Sequence, residues 1–184
     1  MKKLEIYKIW KSDYNISDFL ISKLLCYKLN ITTKELFLME DIDDKLDILN
    51  DFDKLSKNYP IEYLLNNAEF YWLNFYVDNR VLIPRNDTEV MVKNILKTIN
   101  HNINYTLIDV WTWTSCIPIS VLKNSNNFTN WYVLDLSSEA LEVSKINLKN
   151  NNLEDKIKQF KSDLLNQLFV SNLYLEKNLI ISSN

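Results

Sequence analysis

This chain of 184 residues contains no glycine. At ordinary usage of roughly 7%, about a dozen would be expected. Glycine is the default residue wherever the backbone must enter the left-handed region, because it has no β-carbon to collide with the neighbouring carbonyl. A chain without it must build every tight turn, helix end and close approach to a ligand from residues that resist those conformations. Asparagine tolerates left-handed geometry better than most, and Asn67, Arg80 and Asn152 stand near turns where glycine would be usual. The richness in Asn, Lys, Ile, Leu and Tyr points to AT-rich coding, in which glycine codons are disfavoured. Such bias accounts for a shortage more readily than for a total absence.

The constraint is sharpest in residues 108–120, IDVWTWTSCIPIS. A hydrophobic run ends at Asp109 and Val110, and Trp111, Thr112, Trp113, Thr114 and Ser115 follow. The pattern reads as a tight strand-to-helix turn, where small residues are expected. Two indoles stand there instead.

The remaining composition narrows the class. Hydrophobic content is 47% and charged content 24%, ordinary for a globular protein. The length suffices for one domain, or a domain with an appendage. A formal net charge of −3 gives no basic footprint, so no direct nucleic-acid partner is expected. No apolar run approaches the roughly 18 residues of a membrane span. The start, MKKLEIYKIWKSDY, lacks the apolar stretch of a signal peptide, and a cytoplasmic protein follows by default. Cys26 and Cys116 read as reduced, buried thiols. His101, the single histidine, sits in the polar stretch INHNIN and reads as a surface residue, so no metal site or histidine-based triad is expected.

The first sixty-odd residues read as helical. Ile16, Phe19, Leu20, Leu24 and Tyr27 make one apolar stripe. Thr32 and Glu35 have capping-box spacing. Leu46, Leu49, Phe52 and Leu55 recur at steps of three among acids, which form a solvated helix face rather than a calcium loop. Pro60 suits the first turn of PIEYLLNN. The aromatic and β-branched stretch AEFYWLNFYVDNRVLIP then predicts a hairpin over about 68–77 and 80–84, with the DN pair as its turn. From residue 88 helix and strand patterns alternate: TEVMVKNILKTI, YTLIDV, SCIPISVLKN, WYVLDL, SSEALEVSKINLKNN, KIKQFKSD and NLIISSN. Alternation of this kind predicts a parallel sheet with crossover helices. The division expected is a helical unit over 1–66, a hairpin linker over 67–85 and an α/β domain over 86–184. NSNNFTN reads as a surface loop.

Ligands of such sheets bind at the carboxyl ends of the strands, and an acid after the second strand often holds ribose hydroxyls. Asp135 is that candidate, with a helix N-terminal acid as its other reading. Asp163 closes the next strand in the same way.

IDVWTWTSCIPIS resembles the first motif, Asp-x-Gly-Thr-Gly-Ser-Gly, of class I S-adenosylmethionine-dependent methyltransferases. PIEYLLNNAEFYWLNFYVDNRVLIPRNDTEV resembles the segment before that motif in the release-factor glutamine methyltransferases of the HemK or PrmC type. VLDLSSEALEVSKINLKNN resembles their second strand and helix, and LIISSN the approach to their Asn-Pro-Pro-Tyr motif. The resemblance covers about 60–184 well and the N-terminus loosely. It implies a class I Rossmann-like sheet, here truncated, behind a helical docking domain. It also implies S-adenosylmethionine as cofactor and, as substrate, the glutamine of a Gly-Gly-Gln loop in a peptide chain release factor. On this resemblance Asp109 and residues Trp111, Thr112, Trp113, Thr114 and Ser115 line the methionine end of the cofactor. Asp135 takes the ribose and Asp163 and Leu164 the adenine. Asn184 holds the substrate amide and touches the cofactor, and Arg85 with Thr88 and Glu89 lies at the mouth of the fold. For Arg85, Thr88 and Glu89 the plainer reading is a loop leading to a capped helix. Tyr63, Phe70, Tyr71 and Phe75 read as a packed core or a substrate wall. Related alternatives are a glutamine methyltransferase of a ribosomal protein, a nucleic-acid amino methyltransferase and a non-catalytic binding module. A monomer is expected.

Two departures stand against the pattern. Trp111, Trp113 and Trp72 fall where the family has glycine, and Ser115 falls on a third glycine position. In genomes where UGA encodes glycine, a translation that reads UGA as tryptophan writes Trp at each such codon. Decay of the site and a functional tryptophan-lined site are the other readings. The chain also stops at Asn184, the first residue of Asn-Pro-Pro-Tyr, so a fragment that is inactive as it stands is expected.

Overall fold

The computed structural model describes residues 3–42, 48–167 and 178–183, in two compact units, Met1–Leu65 and Asn66–Asn184. No helix among the described residues is long and apolar enough to cross a membrane.

The first unit contains helices α1 (Lys3–Tyr14), α2 (Asp18–Leu29), α3 (Thr33–Leu38), α4 (Leu49–Ser56) and α5 (Ile61–Leu65). Its core is built on Trp10, Ile21, Leu24, Leu25 and Phe52, with the Trp10 and Phe52 rings stacked at 4.0 Å. The capping box forms as the spacing predicts: Glu35 N–H donates to Thr32 Oγ1 at 3.2 Å, and Thr32 N–H donates to Glu35 Oε2 at 2.7 Å. The stripe expected on α2 is only partly the buried one. Phe19 and Tyr27 are 70% and 50% exposed, whereas Ile21 and Leu25 are buried beside Leu24. Apolar residues run nearly all round this helix, so periodicity offers two adjacent faces and tertiary packing selects between them. Phe52 and Leu55 of α4 are buried as expected, and Leu46 lies outside the described residues.

The second unit opens with a hairpin, β1 (Ala68–Phe70) and β2 (Leu73–Phe75), paired antiparallel. This corrects the expected hairpin. Its turn is Tyr71–Trp72, not the DN pair, and residues 80–84 form no strand. Both turn residues have positive φ, 49° and 60°, as two-residue hairpin loops of the favoured hand require. A Tyr-Trp pair carries none of the usual residues of such a turn. Asp78 instead closes a separate bend, its carboxylate gripping the Arg80 backbone N–H and guanidinium. Phe70 and Phe75 are buried and meet edge-on at 6.1 Å, so they pack as core.

After a 3-10 turn (Asn86–Thr88) come α6 (Glu89–Thr98), β3 (Tyr105–Val110), α7 (Cys116–Asn124), β4 (Phe128–Asp135), α8 (Ser138–Asn150), β5 (Lys158–Lys161) and β6 (Leu179–Ser183). β4 begins earlier than WYVLDL suggests, so the end of the expected NSNNFTN loop is strand. The four strands form one all-parallel sheet in the order β5-β4-β3-β6, a Rossmann-like arrangement. On one side of the sheet Leu107, Trp131 and Val133 pack with Val92 of α6, Ile119 of α7 and Leu148 of α8. On the other, Ile108, Val110, Tyr132 and Leu134 form a smaller cluster with Phe160, Leu165 and Leu179. Both faces of β3 and β4 are therefore apolar, which is why these strands read as continuous hydrophobic runs.

Candidate site at the carboxyl end of the sheet

Strand β3 delivers the chain at Val110, and α7 takes it up at Cys116. Trp111, Trp113 and Ser115 have φ of 56°, 48° and 60°, while Thr112 and Thr114 between them do not enter the left-handed region. Such alternation turns the backbone sharply between strand and helix, at positions that favour a residue without a β-carbon. The turn is anchored by Thr112 N–H to Leu134 O at 3.1 Å and Ser115 N–H to Thr112 O at 2.7 Å.

The tryptophans divide into two groups. Trp10 and Trp131 are core residues, 2% and 3% exposed. Trp72, Trp111 and Trp113 all have positive φ, and Trp72 and Trp111 are 77% and 45% exposed. An L-residue in this region costs roughly 1–2 kcal/mol from the clash of its β-carbon. The three tryptophans with positive φ are the three that fall on glycine positions of the first motif and the hairpin, where Ser115 and Tyr71 are left-handed as well.

Two buried carboxylates flank the turn. Asp109 sits on β3 beside Ser182 of β6, whose hydroxyl donates to Asp109 Oδ1 at 2.6 Å. Burial pushes the Asp109 carboxyl up to about 6, the Ser182 and Thr112 hydroxyls pull it back, and Asp135 pushes it further up. Asp135 ends β4. Its Oδ2 accepts the Trp113 N–H at 3.1 Å, and its Oδ1 accepts the Ser137 N–H at 2.9 Å. One carboxylate thus braces both the turn and the start of α8. Asp135, Leu136 and Ser137 line a cleft of about 460 Å³ together with Trp111 and Trp113. The left-handed backbone and the flanking carboxylates fit a nucleoside-type cofactor. The side chains at 111 and 113 line the same space and do not.

Ser115 is different from the tryptophans. It is buried, and its hydroxyl lies 3.1 Å from Thr112 Oγ1 and 2.5 Å from Ser144 Oγ on α8. Gln159 of β5 donates to Ser144 Oγ at 2.6 Å. Each hydroxyl has one hydrogen to give. With Asp109 ionised and accepting from Thr112, the chain runs one way, from Gln159 through Ser144, Ser115 and Thr112 to Asp109. The surroundings are built to hold a serine at 115. Ser144, Asn147, Gln159 and Ser182 were not legible as site residues. The available signal was Ser144 and Asn147 on the otherwise apolar face of α8 that also carries Ala140, Val143 and Leu148.

The other expected site residues are more dispersed. Asp163 and Leu164 lie exposed beyond β5, with Leu164 at φ 53°. Arg85 is exposed, its guanidinium on Asp87 at 2.7 Å, in the segment leading to α6. Glu89 at the start of α6 accepts the Tyr71 N–H at 2.9 Å and so pins the hairpin turn. His101 is exposed, with Nδ1 3.1 Å from Asn127 Oδ1. Asn184 lies outside the described residues.

No family model matches the chain. Over 109 residues it is 39% identical to the release factor glutamine methyltransferase of Clostridium acetobutylicum, covering 59% of this chain and 38% of that one. Over 185 residues it is 30% identical to the release factor glutamine methyltransferase of Mycoplasma mycoides, covering 98% of this chain and 59% of that one. The chain is related to the release factor glutamine methyltransferases. It spans about half the length of these curated relatives. The alignment with the Mycoplasma mycoides methyltransferase takes in the helical first unit as well as the sheet. Among solved structures, M. capricolum TrmK in complex with S-adenosyl-homocysteine matches at 26% identity with a TM-score of 0.40, over 50% of this chain and 39% of that one.

Proposed function

We propose that this chain is the cofactor-binding part of an S-adenosylmethionine-dependent methyltransferase that methylates a glutamine side-chain amide in a peptide chain release factor. The observation that carries the proposal is the run of alternating left-handed residues 111, 113 and 115, placed between the buried carboxylates of Asp109 and Asp135 at the carboxyl end of the sheet. S-adenosylmethionine, when bound, supplies an electrophilic methyl group on sulfur. The turn 111–115 would lie against its methionine end, with Asp109 fixing the turn from beneath. Asp135 would face the ribose hydroxyls, and Asp163 and Leu164 the adenine.

An amide nitrogen is a poor nucleophile because its lone pair is delocalised. Orientation beside the methyl group, with acceptors for the amide N–H groups, is therefore the main catalytic device. Asn184 would supply one such acceptor, and Arg85 would contact the protein substrate. The first unit would dock that substrate. It exposes Phe19, Phe37 and Leu38, large apolar side chains for which a protein partner is a natural cover. The negative formal charge favours a protein substrate over a nucleic acid.

In this reading positions 72, 111 and 113 carry glycine in the protein the cell makes, encoded by UGA, whereas Trp10 and Trp131 are true tryptophans. The distinction rests on φ and burial, which separate the same three residues from the same two. Sequencing the gene tests it: UGA is expected at codons 72, 111 and 113, and UGG at any of them overturns the assignment there.

The activity is tested with the full product of the gene, methyl-labelled S-adenosylmethionine and a release factor. Label is expected on the release factor and absent when its loop glutamine is replaced by glutamate. Label that persists on the glutamate variant, or goes instead to a ribosomal protein or to nucleic acid, overturns the proposed substrate.

A further inference from the structure

Helix α8 buries two polar side chains, Ser144 and Asn147, three residues apart and therefore on one face. Ser144 reaches the hydroxyl of Ser115. Asn147 does more. Its Oδ1 accepts the Tyr76 N–H at 2.6 Å, and its Nδ2 donates to Tyr76 O at 3.0 Å and to Thr114 O at 3.1 Å. Both amide hydrogens and the carbonyl are used, and every partner is backbone. Tyr76 directly follows β2 of the hairpin, and Thr114 lies in the turn between β3 and α7.

We infer that Asn147 is a positioning residue that locks the hairpin and the turn 111–115 into one register, with Ser144 as the second anchor of the turn. Its consequence for cofactor binding rests on the methyltransferase reading above. A carboxamide is the group this place needs. It presents one acceptor to an N–H and two donors to two carbonyls, fixed by one planar group. A leucine would fill the volume but leave the buried Thr114 carbonyl and the half-buried Tyr76 N–H and carbonyl without this partner, and such losses are costly. An aspartate would keep the shape but point oxygen at the Tyr76 and Thr114 carbonyls. The hairpin is also tied to α6 through Glu89 and Tyr71 N–H, so a shift at one end of the hairpin is resisted at both. Movement of the hairpin would thus be transmitted to the bend that meets the cofactor.

Native-state amide exchange tests the coupling without any substitution. The Tyr76, Thr112 and Ser115 N–H groups should open as one unit, with the same free energy and the same denaturant dependence. Separate values overturn the inference. In N147D, exchange at all three amides should rise about tenfold or more, the loss expected for hydrogen bonds of ordinary strength. In S144A it should rise at Ser115 and at Tyr76 together, because the two share one opening; a rise at Ser115 that leaves Tyr76 unchanged overturns the inference. A rise confined to Tyr76 in N147D would reduce Asn147 to a hairpin pin and sink the proposal.

The binding consequence is read separately, in the W111G/W113G background. There N147D should weaken S-adenosylhomocysteine binding about tenfold at a temperature where both proteins are folded, a change that a purely stabilising role would not produce. Unchanged affinity overturns the positioning role. No binding by the W111G/W113G parent would count against the cofactor reading alone, because the exchange coupling is measured without cofactor.

Discussion

Asp109 and Ser182 stand side by side on neighbouring parallel strands, and the serine hydroxyl donates to the buried carboxylate at 2.6 Å. Burial dominates the balance and holds the Asp109 carboxyl near 6, above its ordinary 3.8. The folded state therefore binds the proton more tightly than the unfolded chain. Stability from this group is complete below about pH 4 and is lost as pH rises through about 6. The loss amounts to roughly 3 kcal/mol at most. Denaturant unfolding between pH 4 and 7 should show this fall, and D109N should flatten it. A D109N variant with an unchanged pH profile would contradict the assignment. S182A removes a donor to the ionised form and lets the folded-state carboxyl rise further, so the fall should extend to higher pH without changing sign.

The tryptophans should respond to glycine substitution in opposite directions. W72G and W111G should stabilise the fold by roughly 1 kcal/mol each, because relief of the left-handed β-carbon clash exceeds what an exposed indole contributes. W10G and W131G should destabilise by roughly 3–5 kcal/mol or more, as expected for emptying a core site. Equilibrium unfolding of the four variants gives the comparison. Uniform destabilisation would contradict the reading of residues 72 and 111 as misplaced tryptophans.

The regular elements were legible because their signals are local. YTLIDV reads as β3 at the observed bounds, since a short run apolar on both faces matches a buried parallel strand. Thr32 and Glu35 announce the start of α3 because a capping box needs only three residues of separation. The hairpin turn was misplaced because Tyr71–Trp72 lacks the residues that normally mark such a turn, while Asp78–Asn79 resembles one. The site was half legible. Asp109 and Asp135 follow from strand ends, but the partners of Asp109 and of the turn come from elements far along the chain. Ser182 lies 73 residues from Asp109, and Asn147 lies 71 from Tyr76. No spacing rule spans such distances; the sheet order creates the contacts.

The Asp135 carboxylate is committed to two backbone N–H groups, so D135N and D135A should separate its roles. D135A should cost roughly 1–3 kcal/mol of stability through the lost bonds to Trp113 and Ser137 N–H. D135N keeps an acceptor and should be milder. If Asp135 also faces ribose, both variants should weaken nucleoside binding in the W111G/W113G background, and by more than they weaken the fold. Binding that follows stability alone would leave Asp135 as a brace only.

Cys116 opens α7 in the core, and burial pushes its thiol up to about 12. Cys26 is half-buried. A thiol reagent at pH 8 should therefore label Cys26 in the native protein and leave Cys116 unlabelled until denaturant is added. Equal labelling in the native state would contradict the buried placement of α7's first turn.

In the proposed function the bend after Val110 holds a nucleoside, and the indoles at 111 and 113 obstruct it. Calorimetric titration with S-adenosylmethionine, comparing the tryptophan form with W111G/W113G, tests it most directly. Saturable one-to-one binding by W111G/W113G, with much weaker or no binding by the tryptophan form, is the predicted result. No binding by a folded W111G/W113G protein, or tight binding by the tryptophan form, would contradict it.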